Sequence, residues 1–312
     1  MRAAILHEYG TTPALGEFDE PEAGEGQVVA DVLAAGLNPV DLRRASGTFY
    51  GRVPPVPSVA ASEGVARLPD GRRVYFDPPV EPYGSLAERT LLDAAATFDV
   101  PDGLEEGVAV ALGIAGLAGW LSLEWSAKLR EGETVLVLAA SGTVGLIAVQ
   151  AARILGAGRI VAAARSRSGL EQASRMGADA TVALGEVDDL TEALKEAGDG
   201  GFDVIVDPLW GEPGVAALKA VNRFGRHVAL GQSAGAEATI TNADVRGKPM
   251  TIVGHTSYAV PLEDRRAAYE RMAAHAAAGE LEIGYEEVPL DDVQAAWERQ
   301  AAGPGVKLVV VP

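Results

Sequence analysis

Hydrophobic positions in this chain follow two different rhythms. Between residues 134 and 254, short β-branched apolar runs alternate with segments whose apolar residues recur at three- and four-residue intervals. These are the marks of buried strands and of amphipathic helices. The pattern predicts strands at 134–139, 159–164, 181–183, 203–207, 226–230 and 250–254, with helices at 144–155, 168–176, 189–197 and 213–220. Six strands with intervening helices describe a doubly wound parallel sheet of the α/β class. Before residue 112 there is no such alternation. Strands are predicted there at 1–8, 27–33, 73–76 and 86–92, separated by Pro/Gly-rich stretches such as Val53-Pro54-Pro55-Val56-Pro57. A helix is expected over 111–128. Beyond Pro261 come an Ala-rich helix (264–278), a strand (283–288), a helix (290–300) and a final strand (307–311). That tail is too small to stand alone, so it is expected to pack on the amino-terminal β region.

The connection after the first strand of the alternating region carries candidate chemistry. Ala140, Gly142 and Gly145 have the spacing of a dinucleotide fingerprint, with Ala in the place of the first glycine. Gly142 would let the backbone approach a pyrophosphate, and Gly145 would let helix and strand pack closely. Ser141, Thr143 and Val144 complete the turn; the two hydroxyls are possible donors, and the helix start offers amides and partial positive charge to phosphate. The same spacing also describes a small-residue turn with no ligand, but here it sits inside a strand–helix–strand unit. An acid for a ribose hydroxyl is expected roughly 20 residues past the glycines. That region instead reads Ala163-Ala164-Arg165-Ser166-Arg167. Two guanidiniums and a hydroxyl suit a 2′-phosphate, so NADP(H) is expected over NAD(H). Arg165 and Arg167 as ordinary solvated charges is the alternative.

Composition narrows the chemistry. Forty-four acidic and 26 basic residues give a net charge of −18, which opposes nonspecific nucleic-acid binding. There is no cysteine, which removes disulfides, thiol nucleophiles and thiolate metal sites. The four histidines show no metal-ligand spacing, so no metal is expected. No apolar run is read as reaching the ~18 residues that span a bilayer. The amino terminus reads as a strand and not as a signal peptide, which makes no membrane association and a cytoplasmic location the expectation.

Four blocks carry a family resemblance: Ala34-Ala35-Gly36-Leu37-Asn38-Pro39-Val40-Asp41 with Ser46-Gly47-Thr48-Phe49-Tyr50; residues 113–123; Gly132-Glu133-Thr134-Val135-Leu136-Val137 running into 140–145; and Gly305-Val306-Lys307-Leu308-Val309-Val310. In this order they resemble the zinc-independent, quinone oxidoreductase-like branch of the medium-chain dehydrogenase/reductase superfamily. The resemblance implies a GroES-like β domain in two parts (1–116 and 259–312) around a Rossmann NADP(H)-binding domain (117–258). It also implies a homodimer joined at the sheet edge near Thr251-Ile252-Val253. Zinc-dependent members place a cysteine ligand where this chain has Asn38, and a histidine where Ser62 precedes Glu63. A lysine common in relatives after the second Rossmann strand is missing; Ser168-Gly169 stands nearby.

For function, the resemblance implies zinc-free hydride transfer from NADPH to a quinone or an α,β-unsaturated carbonyl compound. A 2-enoyl thioester reductase and a non-catalytic NADPH-binding or redox-sensing protein are the alternatives. Asn38 is expected to donate to the acceptor or the cofactor, unless it only caps a turn before Pro39. Tyr50 is the candidate proton donor, with a loop aromatic as its alternative. Asp41 is expected to orient the Asn-Pro turn. Gly231, Gln232 and His255 follow sheet strands at their carboxyl ends and are expected near the nicotinamide.

Overall fold

The computed structural model describes all 312 residues, which divide into two units: Met1–Ile114 with Tyr269–Pro312, and Ala115–Ala268.

The second unit is built on six strands, in spatial order Ala180–Ala183, Arg159–Ala164, Thr134–Leu138, Phe202–Asp207, Val221–Ala229 and Thr251–Gly254. Every pairing is parallel. Strand order therefore reverses between Thr134–Leu138 and Phe202–Asp207, where such sheets open a crevice at their carboxyl edge. Val135 to Leu138 and Val204 to Val206 have no exposed surface. Strands covered on both faces have no solvent side to mark with polar residues, which is why they read as continuous apolar runs.

In the first unit a small antiparallel sheet joins Arg2–Leu6 to Ala14–Glu17 and Ser58–Val59. The larger sheet is organised by the ten-residue strand Gln27–Gly36, which pairs with Glu63–Arg67, Arg89–Asp93 and Lys307–Val311. Lys307–Val311 in turn pairs in parallel with Tyr285–Pro289. The tail thus completes the amino-terminal sheet, and Trp297, Leu308 and Val310 share a core with Leu6, Phe76 and Leu92.

Several boundaries differ from those the sequence predicts. A helix, Pro39–Ala45, stands where a simple turn was expected. Proline suits the first helical position because its missing N–H would have no partner there. Strand Val221–Ala229 starts earlier than 226, past an irregularity in its pairing with Phe202–Asp207. The short helix Asn242–Arg246 was not foreseen. The expectation that no run could span a bilayer is corrected. Helical turns continue over Glu106–Ala127, 22 residues whose most apolar 18-residue window has a mean hydropathy of 1.6, which is long and apolar enough by those measures. The sequence reading shortened it by starting at Ala111. Burial of 78% of its most apolar window identifies a core helix. Its path bends at Gly113, where a Cβ would stand 2.1 Å from the Tyr75 ring.

Candidate cofactor and catalytic site

At the end of strand Thr134–Leu138, Ala139 takes a left-handed conformation (φ 51°) and turns the chain outward. Ala140 is fully buried, its N–H donating to Ala163 O at 3.1 Å. Gly142 then precedes helix Thr143–Ile154, whose first-turn amides have no partner within the helix. The two glycines meet different surroundings. A Cβ on Gly145 would lie 2.4 Å from Ala139 O and 2.6 Å from Ala140 Cα, so close helix–strand packing requires glycine there. A Cβ on Gly142 would meet only Ala139 O, at 3.6 Å. The space over Gly142 is therefore a cradle that a side chain would fill, beside the unpaired amides of Thr143, Val144 and Gly145. This fits a pyrophosphate.

A third glycine was missed as a site residue. A Cβ on Gly169 would come within 2.2 Å of Ser141 Cβ, so the start of helix Arg167–Arg175 lies against the turn. Its signal was the Ser168-Gly169 pair, standing where relatives often carry lysine. Between turn and helix, Arg165 is exposed and makes no ion pair. Ser166 caps the helix, its Oγ accepting from Gly169 N at 3.2 Å. Arg167 is engaged by Glu186, Nε donating to Oε1 at 3.1 Å. The structure thus brings residues 140–145 and 165–167 together, but of the two arginines only Arg165 is unpaired.

Along the same carboxyl edge, Gly231 follows strand Val221–Ala229, where a Cβ would stand only 2.3 Å from Pro208 O. Gln232 lies beside it, exposed. His255 is tied to the strand through its N–H to Ala229 O, and its Nδ1 lies 2.9 Å from Ser126 Oγ. Burial pushes its pKa down to about 4, so the ring is neutral near pH 7. It brings no positive charge to a phosphate. Sequence reading also passed over a buried pair on this edge. Asp207 Oδ1 accepts from Leu209 N and Trp210 N, both at 2.8 Å, and Oδ2 lies 2.8 Å from His227 Nε2. The pair fixes the loop from Pro208 to Gly211 beside Gly231. The available signal was an acid closing an apolar strand.

In the first unit, Asn38 is 4% exposed and its carboxamide is already committed. Nδ2 donates to Glu63 Oε1 at 2.7 Å, and Oδ1 accepts from Lys307 Nζ at 2.7 Å. This corrects the expectation that the Asn38 amide donates to an acceptor or cofactor. Its N–H donates to Asp41 Oδ2 at 2.9 Å, so Asp41 does orient the Asn-Pro turn. Lys307 Nζ also reaches Glu63 Oε1 at 2.5 Å and Leu37 O at 3.2 Å. Glu63 Oε2 accepts from the Tyr75 hydroxyl and from Ile114 N. Tyr50, by contrast, is 84% exposed. Its ring lies 4.5 Å from that of Phe49, and its hydroxyl has no protein partner.

Burial first, and the charge of Glu63 second, push the Asp41 carboxyl up to about 6; Lys307, the Ser62 hydroxyl and the Asn38 N–H pull it back. The folded protein thus binds this proton more tightly than the unfolded chain. Asp41 contributes stability below its unfolded pKa near 4, and that contribution is lost as pH rises through about 6. Asp41→Asn should therefore gain on the parent protein by up to about 3 kcal/mol between roughly pH 4 and pH 7.5. Urea midpoints at the two pH values test this, and parallel pH dependence in both proteins would contradict it.

A family described as zinc-binding dehydrogenase matches residues 143–277. The chain is 30% identical over 298 residues to a quinone oxidoreductase of Rattus norvegicus, covering 91% of this chain and 87% of that one. It is 32% identical over 251 residues to a 2-methylene-furan-3-one reductase of Solanum lycopersicum, covering 74% and 62% respectively. Among solved structures it is similar to the quinone oxidoreductase of Thermus thermophilus, also solved in complex with NADPH. That likeness has 29% identity and a TM-score of 0.84 over the whole of both chains.

Proposed function

Because the chain belongs to the quinone oxidoreductase-like branch of the medium-chain dehydrogenase/reductase superfamily, we propose that it is an NADPH-dependent reductase of quinones or conjugated enones that works without zinc. The observation that carries the reading is the cradle over Gly142, walled by helix amides and continued to the unpaired Arg165. The amides of Thr143 to Gly145 hold the pyrophosphate, Ser141 and Thr143 add hydroxyls, and Arg165 engages the 2′-phosphate. Ser166 contributes by capping the helix that carries Arg167. Bound there, NADPH supplies the hydride. Reduction of a quinone or enone then also needs a proton at oxygen or carbon. Tyr50 supplies it, since its hydroxyl is exposed and has no protein partner.

Zinc does not fit the residues present. The donors that converge beside Asn38 are a carboxamide, a backbone carbonyl and a carboxylate, and the Lys307 ammonium already lies among them. Zinc sites use thiolate, imidazole or free carboxylate. The acceptor class follows the quinone and furanone reductases to which the chain is similar. A homodimer through Thr251–Gly254 is part of this reading, since that strand ends the sheet with one free edge and Ile252 partly exposed.

Fluorescence titration should give far tighter binding of NADPH than of NADH; equal affinities would remove the arginine argument. NADPH oxidation with 1,4-benzoquinone, 9,10-phenanthrenequinone, simple enones and crotonyl-CoA then sorts the acceptors. Turnover confined to the thioester would replace this reading, and no turnover would favour a binding protein. Unchanged enone reduction in Tyr50→Phe would remove its role as proton donor.

A further inference from the structure

Strands Arg159–Ala164 and Ala180–Ala183 are parallel neighbours in register, with Ala164 opposite Ala183. Leu184 N donates to Ala164 O at 2.8 Å, extending the pairing past the end of both strands. The segments that follow therefore leave one edge side by side: Arg165-Ser166-Arg167 from one strand, Leu184-Gly185-Glu186 from the other. Across this seam Arg167 and Glu186 make a two-point ion pair, Nε to Oε1 and Nη2 to Oε2. Sequence reading assigned both arginines to a 2′-phosphate and gave Glu186 no part.

We propose that Glu186 sets the degree of discrimination between NADP(H) and NAD(H), by occupying the Arg167 guanidinium that a 2′-phosphate would otherwise engage. This rests on the cofactor reading above. The Arg167 side chain is 76% exposed and that of Glu186 40%, so water competes for both and the pair opens at little cost. A guanidinium fork fits phosphate as well as carboxylate. The resident carboxylate leaves Arg165, Arg167 and Glu186 with one net positive charge where the arginines alone would have two. That loss of charge does not bear on a cofactor that ends in a free 2′-hydroxyl. Glu186 therefore acts on selectivity alone.

The test is calorimetric titration of the parent protein, E186Q, R167A and the double variant. The ligands are NADPH, NADH, adenosine 2′,5′-bisphosphate and adenosine 5′-monophosphate, at low and at moderate salt. E186Q should bind NADPH and the bisphosphate about three- to tenfold more tightly, with NADH and the monophosphate within about twofold of the parent. The gain should shrink in the R167A background and at higher salt. If the parent prefers NADPH and E186Q leaves that preference unchanged, the proposal is overturned while the cofactor reading stands. An undiminished gain in the R167A background also overturns it, since simple repulsion would then account for the effect. Equal affinity of the parent for NADPH and NADH would bring down the cofactor reading together with it.

Discussion

Lys307→Met should destabilise the protein by about 3–5 kcal/mol, the usual cost of removing one partner from a buried ion pair. Lys307 is 3% exposed and Glu63 not at all, and Nζ lies 2.5 Å from Oε1. Methionine fills similar volume but leaves Glu63 with its hydrogen bonds from Asn38, Tyr75 and Ile114 and no counter-charge. A carboxylate that is out of reach of water and unpaired must either protonate or open the structure. Asn38 would lose the donor to its Oδ1 as well, loosening the start of helix Pro39–Ala45. Adding Glu63→Gln should return a large part of the loss, because a neutral amide removes the stranded charge. Urea unfolding followed by hydrogen exchange in Gln27–Gly36 reads this unit specifically, which matters because two units need not unfold together. A Lys307→Met protein as stable as the parent would mean that water reaches Glu63.

Gly142→Val should lower NADPH affinity by about a hundredfold or more while leaving stability nearly unchanged, since it fills the cradle where the backbone approaches a pyrophosphate. Gly142 has φ −94°, which any residue adopts, and its Cβ direction is open. Gly145→Ala should do the reverse in kind. Its methyl would press on Ala139 O and Ala140 Cα, backbone atoms that cannot rotate away. Overpacking of this sort costs about 1–3 kcal/mol, so unfolding midpoints should fall first and cofactor affinity with them. Thermal unfolding and NADPH titration on both variants separate the two roles. If Gly142→Val binds NADPH normally, the pyrophosphate does not lie over that residue.

The parallel sheet was readable because each of its inner strands is a private, local signal. Leu136 and Val161 need only be apolar and bracketed by helices to be recognised, and their positions came through nearly unchanged. The turn at 140–145 was readable for the same reason, being one contiguous motif. The buried cluster around Asn38 was not. Lys307 and Glu63 lie 244 positions apart in the chain, and each alone resembles a charged residue at a strand end. Only the antiparallel pairing of Val309 with Gly36 brings them together. Asn38 was therefore read as a free donor, when its partners belong to segments with no local relation to it. Glu186 escaped notice similarly, since its importance comes from the register of Ala164 against Ala183. Helix Pro39–Ala45 was obscured by a proline that signals a turn and a helix start equally well.

The return of Lys307–Val311 to the sheet also bears on how the protein is made. Translation delivers Gln27–Gly36 and Glu63 early, then the whole of Ala115–Ala268, and only afterwards the strand that completes the first unit. Domains generally fold as they emerge. The second unit can therefore close on itself while the first still waits, with one strand edge unsatisfied and Glu63 without its ammonium. For that interval the nascent chain exposes a sheet seeking a partner, and a neighbouring chain on the same message offers one. Slow passage of the ribosome through residues 269–306 would lengthen this exposure, so aggregation in the cell should respond to translation speed in that stretch.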